Sequence, residues 1–102
     1  MYVPLKFSNY KKQQVILGDG AYEHINEAHS EVTLDQIKRT LEDPDEVRSS
    51  SYSKNSELYY LLRTKQRYTC VVVKICADGN FVSTALTTTK PKNGRVIYRR
   101  GT

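Results

Sequence analysis

The sequence predicts an α+β fold in which two N-terminal helices pack on one face of a curved antiparallel sheet of four to five strands. Two observations favour it. Apolar residues recur at helical spacing before Pro44, whereas short β-rich runs alternate with turn residues after it. Helices followed by a meander of strands are typical of α+β layers. With 102 residues, the chain has room for one domain, expected to span residues 1–102.

The first helix is predicted from Ala21 to His29, with Ile25 on the same face as Ala21. It follows a break in the chain at Gly18-Asp19-Gly20. Two short extended pieces precede this break, at residues 2–7 and 13–17.

The second helix has clear start and stop signals. Thr33 is a good N-cap, and Gln36 completes a capping box. Val32, just before the cap, can pack onto Ile37 as a hydrophobic staple. Asp43-Pro44 ends the helix. The inward stripe consists of apolar residues at helical spacing, namely Leu34, Ile37 and Leu41.

Five strands are predicted after Pro44, at Val47–Tyr52, Glu57–Thr64, Arg67–Cys76, Phe81–Thr88 and Val96–Tyr98. Asp78-Gly79 is a strong signal for a hairpin, and Lys65-Gln66 is a second tight turn. With two-residue loops at both turns, strand alternation predicts which residues share a face.

One predicted face is nearly all apolar and should pack on the helices; it holds Leu58, Tyr60, Leu62, Val71, Val73, Ile75, Val82, Thr84 and Leu86. The other mixes aromatic, cationic and hydroxyl groups, as a surface that contacts phosphates and bases requires; it holds Tyr59, Leu61, Arg63, Tyr68, Val72, Lys74, Ser83 and Thr87. A three-residue loop at either turn would exchange the two sets beyond that turn.

The net charge of the chain is unevenly distributed. Residues 1–46 hold five Lys/Arg and nine Asp/Glu, giving −4, and residues 47–102 hold eleven Lys/Arg and two acids, giving +9, which together make +5. Because polarised basic surfaces attract phosphate backbones, we expect contact with nucleic acid. The alternative is a basic surface that is merely solvated.

Several classes of protein and site are excluded. The sequence has neither an apolar run of about 18 residues nor a signal peptide, so we expect a cytoplasmic protein. Cys70 and Cys76, in one predicted strand, would lie about 20 Å apart and cannot form a disulfide. Their spacing is unlike that of a zinc knuckle, and Gly18 with Gly20 forms only a turn. We therefore expect no metal and no cofactor.

His24 and His29 are the two histidines, and histidine can both accept and donate a proton near neutral pH. On one helix they would point about 140° apart and form no common site. His24 opens the first helix and is the candidate general base, whereas His29 is more simply a structural residue that closes the helix. The alternative for His24 is likewise structural.

Cleavage of RNA without metal needs a base for the 2′-OH proton, a cation for the phosphorane and an acid for the leaving oxygen. His24, Arg63 or Lys74, and a Tyr, Ser or Thr hydroxyl could supply these groups. Tyr-rich strands that carry Lys and Arg are, however, also ordinary solvated faces of sheets.

The run His24-Ile25-Asn26-Glu27-Ala28-His29-Ser30-Glu31-Val32 resembles the HI-x-x-x-H-P-E-V opening of the phage-associated nucleases of the Barnase–EndoU–colicin–RelE-like superfamily. Ser30 stands where proline is common. The resemblance covers residues 13–98 and continues through Ile37, Pro44-Asp45, Leu58-Tyr59-Tyr60, Tyr68–Lys74, Gly79 and Val82-Ser83-Thr84-Ala85.

This resemblance implies a toxin-like or phage-derived ribonuclease that acts on RNA without metal, with helices on one side of a curved sheet. It implies site positions at His24, Lys74 and Thr84, with Tyr59, Arg63 and Thr87 as neighbours that bind substrate. A site role for Thr84 conflicts with its predicted position on the apolar face. Either the loop at Asp78-Gly79 is longer than two residues or Thr84 is structural.

RNA is the implied partner, with an antitoxin or immunity protein as a second one. The alternative function is a non-catalytic module on the same fold that binds nucleic acid or a partner protein, since fold membership does not prove catalysis.

Overall fold

A computed structural model of the chain describes residues 5–51, 54–91 and 94–101. The elements within these ranges are β1 (Leu5–Ser8), β2 (Gln14–Leu17), α1 (Asp19–Ala28), α2 (Leu34–Glu42), β3 (Glu46–Ser49), β4 (Ser56–Thr64), β5 (Arg67–Cys76), β6 (Gly79–Thr88) and β7 (Val96–Arg99). The strands form one sheet in the order β1-β2-β6-β5-β4-β3-β7. Neither helix is long and apolar enough to cross a bilayer.

The predicted antiparallel sheet of four to five strands is wrong in both strand number and strand direction. The two N-terminal extended pieces join the sheet as β1 and β2, which makes it seven-stranded. It is also mixed, because β2 pairs in parallel with β6 through Val15–Asn80 and Ile16–Phe81. A four-residue strand has too few alternating positions to reveal a partner so distant in sequence. Residues 2–4 and Tyr52, which were assigned to predicted strands, lie outside the described residues.

The predicted second helix is confirmed. Gln36 N donates to Thr33 Oγ1 at 3.2 Å, and Thr33 N donates to Gln36 Oε1 at 3.0 Å, which completes the capping box. Val32 and Ile37 are both buried, as the staple requires. The first helix begins at Asp19, two residues before its predicted start.

The main core lies between the helices and one face of the sheet. Its buried members are Val15, Leu17, Ile25, Val32, Ile37, Leu41, Val47, Tyr59, Val71, Val73, Val82 and Ala85. A smaller buried cluster of Leu58, Tyr60 and Cys70 lies on the opposite face, with Tyr68, Val72 and Leu86 packed against it. We call these the helix face and the open face. Cys70 and Cys76 form no disulfide, as predicted.

Two β-bulges decide which side chains turn toward the helices. The first lies at Arg63, where the pairing of β4 with β5 shifts between Leu62 and Thr64. A one-residue slip exchanges the faces of a strand, so Tyr59 points into the main core. Leu58 and Tyr60 therefore lie on the open face, and their predicted position beneath the helices is wrong.

The second bulge lies at Ser83. Val73 pairs with Val82, but Val72 pairs with Thr84, so one residue of β6 is left over. Thr84 therefore lies on the open face, as does Leu86, and their predicted place on the apolar face is wrong. Val71, Val73 and Val82 lie on the helix face as predicted.

The edges of this sheet approach each other through an aromatic cluster. Tyr10, in the turn between β1 and β2, lies 4.4 Å from Tyr98 of β7 and 5.8 Å from Tyr59, measured between ring centroids. The turn itself is shaped by Asn9, whose Oδ1 accepts from the backbone N–H groups of Lys11 and Gln13, each at 2.9 Å. The sheet is thus curved enough for its first hairpin to contact its last strand.

Candidate active site

The two histidines meet where α1 ends. His29 is the C-cap, with φ −140°, and its backbone N–H donates to the Ile25 carbonyl at 2.8 Å. Because its backbone has left the helical conformation, its side chain does not follow the helical rotation. The His29 ring lies edge-on to the His24 ring, with 6.0 Å between centroids. The prediction that these side chains diverge is therefore wrong, since it assumed that both residues lie within the helix.

Glu31 adds a carboxylate to this pair from the loop between α1 and α2. Its own backbone N–H is the main group that lowers the pKa of Glu31, helped by the side chain of Thr87, the charge of His29 and the backbone N–H of Thr87. The carboxylate is thus exposed and ionised, between the His29 imidazole and the Thr87 hydroxyl.

Arg67, the first residue of β5, supplies a cation beside this carboxylate. Glu31, Arg67 and Thr87 line one cavity of about 440 Å³, together with Thr88 and Thr89. We define the histidine cluster as His24, His29, Glu31, Arg67 and Thr87. It combines two groups that transfer protons near neutral pH with a guanidinium that can bind phosphate.

The structure does not bring Lys74 and Thr84 to the histidine cluster. Both lie on the open face. Thr84 of β6 pairs with Val72 of β5, which faces that side, and Lys74 is two residues after Val72 in β5. His24 is on α1, which packs on the helix face through Ile25. The bulge at Ser83 resolves the conflict over Thr84 without a longer loop. The sheet therefore divides the three predicted catalytic residues between its two sides.

Tyr59 and Arg63, predicted to bind substrate, have very different surroundings. Tyr59 is 1% exposed in the main core. Its hydroxyl accepts from Asn9 Nδ2 at 3.2 Å and donates to Glu57 Oε1 at 3.3 Å. Burial, above all, raises the pKa of Tyr59. Arg63 is exposed at the end of β4 and lines a cavity with Thr69. Of these two residues, only Arg63 lies where a substrate can reach it.

Sequence reasoning did not single out Glu31 and Arg67. Glu31 was nevertheless visible in the motif that His24 opens, since it occupies the glutamate position of H-P-E-V. Arg67 had no local signal, because its place beside Glu31 depends on how β5 and β6 pair. Within the described ranges, no group of three or more His, Cys, Asp or Glu side chains is arranged to hold a metal ion.

A family match is found by comparison with known protein families. Residues 4–101 match the family described as phage-Barnase-EndoU-ColicinE5/D-RelE like nuclease2, or PBECR2. The match includes the histidine cluster and every strand of the sheet. No curated protein and no solved structure matches the chain.

Proposed function

This chain belongs to the phage-Barnase-EndoU-ColicinE5/D-RelE like nuclease2 family, and on that premise we propose that it is a metal-independent endoribonuclease of the toxin type. The observation that carries the proposal is the pair of imidazoles 6.0 Å apart at the end of α1. Two imidazoles can supply the base and the acid that RNA cleavage needs. RNA, unlike DNA, carries the 2′-OH that serves as an internal nucleophile.

In the proposed reaction, the exposed His24 accepts the 2′-OH proton. The 2′-oxygen bonds to phosphorus as the bond from phosphorus to the 5′-oxygen breaks, and His29 in its imidazolium form protonates that leaving oxygen. Arg67 stabilises the negative charge of the phosphorane. The products are a 2′,3′-cyclic phosphate and a 5′-hydroxyl end.

A catalytic role for Lys74 and Thr84 stays a prediction, which would place the chemistry on the open face instead. An antitoxin or immunity protein also stays a prediction, as does a cytoplasmic site of action. The proposal favours the histidine cluster because it alone, within the described residues, contains imidazoles.

The test is cleavage of tRNA, rRNA and mRNA substrates in EDTA, with analysis of the product ends. We expect 2′,3′-cyclic phosphates from the parent protein. His24→Ala should lower the rate by a factor of about 10² to 10⁴, because a general base is lost. Fold and RNA affinity should be retained. Glu23→Ala, an exposed change at the adjacent position of α1, is the matched control and should cleave at the parental rate.

Two outcomes would contradict this proposal in different ways. If Lys74→Ala loses cleavage while His24→Ala retains it, the active site lies on the open face. If the parent protein binds RNA but cuts none of the substrates, the non-catalytic binding module replaces the enzyme.

A further inference from the structure

We propose that the cavity between the first half of α2, the end of β4 and the start of β5 is a nucleobase-binding subsite. It would hold a base next to the phosphodiester bond that is cleaved at the histidine cluster, and it therefore rests on the proposed ribonuclease activity. The cavity measures about 350 Å³. This volume is near the lower end of the range for small-molecule sites, about 300 to 1,000 Å³, and suits one nucleotide.

Thr69 offers this cavity an unused hydrogen-bonding group. It lines the cavity from β5, is 0% exposed, and its hydroxyl has no hydrogen-bond partner among the described residues. Thr87 lies directly opposite on β6, yet the two hydroxyls do not bond to each other. A buried hydroxyl without a partner is costly, so a ligand that pairs with Thr69 gains the bond that the protein leaves unmade.

The walls beside Thr69 are apolar. Leu61 is its direct partner across β4 and β5, and Leu62 lines the same cavity. Leu62 is 49% exposed because the bulge at Arg63 turns it away from the main core. The α2 side of the cavity is polar and is lined by Thr33, Asp35, Gln36 and Arg39. An apolar wall opposite polar groups suits a planar, aromatic ligand whose edge carries donors and acceptors, and a nucleobase has that chemistry.

Arg63 adds a planar cation to this cavity. Its side chain is exposed and lines the same space as Leu61 and Thr69. A guanidinium stacks on aromatic faces and also pairs with phosphate, so it can contact either the base or its phosphate. These groups together favour a nucleotide over an uncharged aromatic ligand.

The position of the cavity connects it with the histidine cluster. Thr69 and Thr87 are direct cross-strand neighbours on the helix face, where side chains lie about 5 Å apart. Thr87 belongs to the cluster, and Thr69 belongs to the cavity. A nucleotide whose phosphate lies at Thr87 can therefore place its base in the cavity beside Thr69.

The experiment measures base preference in binding and in cleavage separately. The four nucleoside 3′-monophosphates are titrated into the whole protein, and binding is followed through the NMR signals of the Leu61 and Thr69 methyl groups. Thr69→Val preserves side-chain volume and removes only the hydroxyl. We expect it to weaken binding of the preferred nucleotide about 3- to 10-fold, the range for one hydrogen bond, and to reduce the difference between the four bases.

Thr64→Val, the same substitution at an exposed position of β4 outside the cavity, is the matched control and should leave binding unchanged. Arg63→Gln should weaken all four nucleotides alike. Circular dichroism and thermal melting verify that each variant is folded.

The outcomes separate this inference from the proposed function. If nucleotides bind at Leu61 and Thr69 with a base preference but the protein cuts no RNA, the subsite is supported and the ribonuclease activity is refuted. If the parent and Thr69→Val both cleave RNA with the same base preference, the ribonuclease activity is supported and the subsite is overturned. Methyl signals that respond to an apolar peptide but to no nucleotide would likewise overturn it.

Discussion

Tyr59 anchors the N-terminal hairpin to the main core through its hydroxyl. Replacing it by phenylalanine leaves the ring in place but removes the acceptor for Asn9 Nδ2. We expect Tyr59→Phe to lower the free energy of unfolding by about 1 to 3 kcal/mol, because the amide of Asn9, 5% exposed, loses this acceptor. RNA affinity should not change, since Tyr59 lies inside the molecule. Urea denaturation and RNA filter binding measure the two quantities.

Tyr68→Phe, on the half-buried open face, is the control for the loss of a tyrosine hydroxyl. A Tyr59→Phe variant with parental stability and weakened RNA binding would restore the substrate-contacting role that the sequence predicted for Tyr59.

The contrast between Thr33 and Tyr59 shows which residue-level features the sequence reveals. The capping box of Thr33 and Gln36 depends on a separation of three residues, so the sequence alone determines it. The face of Tyr59 depends on one extra residue, Arg63, in the pairing of two strands. Alternation is equally regular in either register, so no local pattern distinguishes them.

At the scale of secondary-structure elements, Glu46 joins β3 to its neighbour β7, the strand at one edge of the sheet. Its carboxylate lies 2.6 Å from Arg48 Nε and 2.7 Å from one terminal nitrogen of Arg99, although the residue is 8% exposed. Burial alone would raise the pKa of Glu46, but hydrogen bonds and charge from both arginines outweigh it. The net effect is a pKa below the ordinary value of 4.5.

Because this pKa is lowered on folding, the ionised carboxylate stabilises the folded protein above about pH 4.5, and the contribution is lost as pH falls through the lower, folded value. We expect Glu46→Gln to cost about 1.5 to 3 kcal/mol at pH 7, the range for hydrogen bonds to a charged group. The cost should shrink as the pH falls below about 4.5. Urea denaturation of both proteins at several pH values measures it.

Glu42→Gln, which neutralises an exposed carboxylate at the end of α2, serves as the control and should have little effect at any pH. A difference between Glu46→Gln and the parent that stays constant from pH 7 to pH 3 would show that ionisation of Glu46 does not stabilise the fold.

At the scale of the whole molecule, the charge is polarised along the chain, and three exposed cations stand near the tip of the β4–β5 hairpin. These are Arg63, Lys65 and Arg67. Each phosphate contact releases counterions, so RNA binding should weaken steeply with salt, with a log–log slope above about two. Lys65→Gln should reduce this slope by about one and weaken all RNA sequences alike.

Lys54→Gln removes the same charge near the opposite end of β4, and it should leave the slope unchanged. Fluorescence anisotropy from 50 to 300 mM salt would measure all three proteins. A slope below about two for the parent, or equal slopes for the two variants, would mean that the hairpin tip is solvated and does not bind phosphate.

The parallel pairing of β2 with β6 has a consequence for synthesis of the chain on the ribosome. The helices bury Ile25, Ile37 and Leu41 largely against strands that follow them in the sequence. Thr87, a member of the histidine cluster, is near the end of β6. While only the first half has emerged, these apolar residues lack the sheet that covers them, and contacts so distant in sequence form late. Under the proposed function, the nascent enzyme is therefore inert toward its own messenger RNA until β6 has been synthesised.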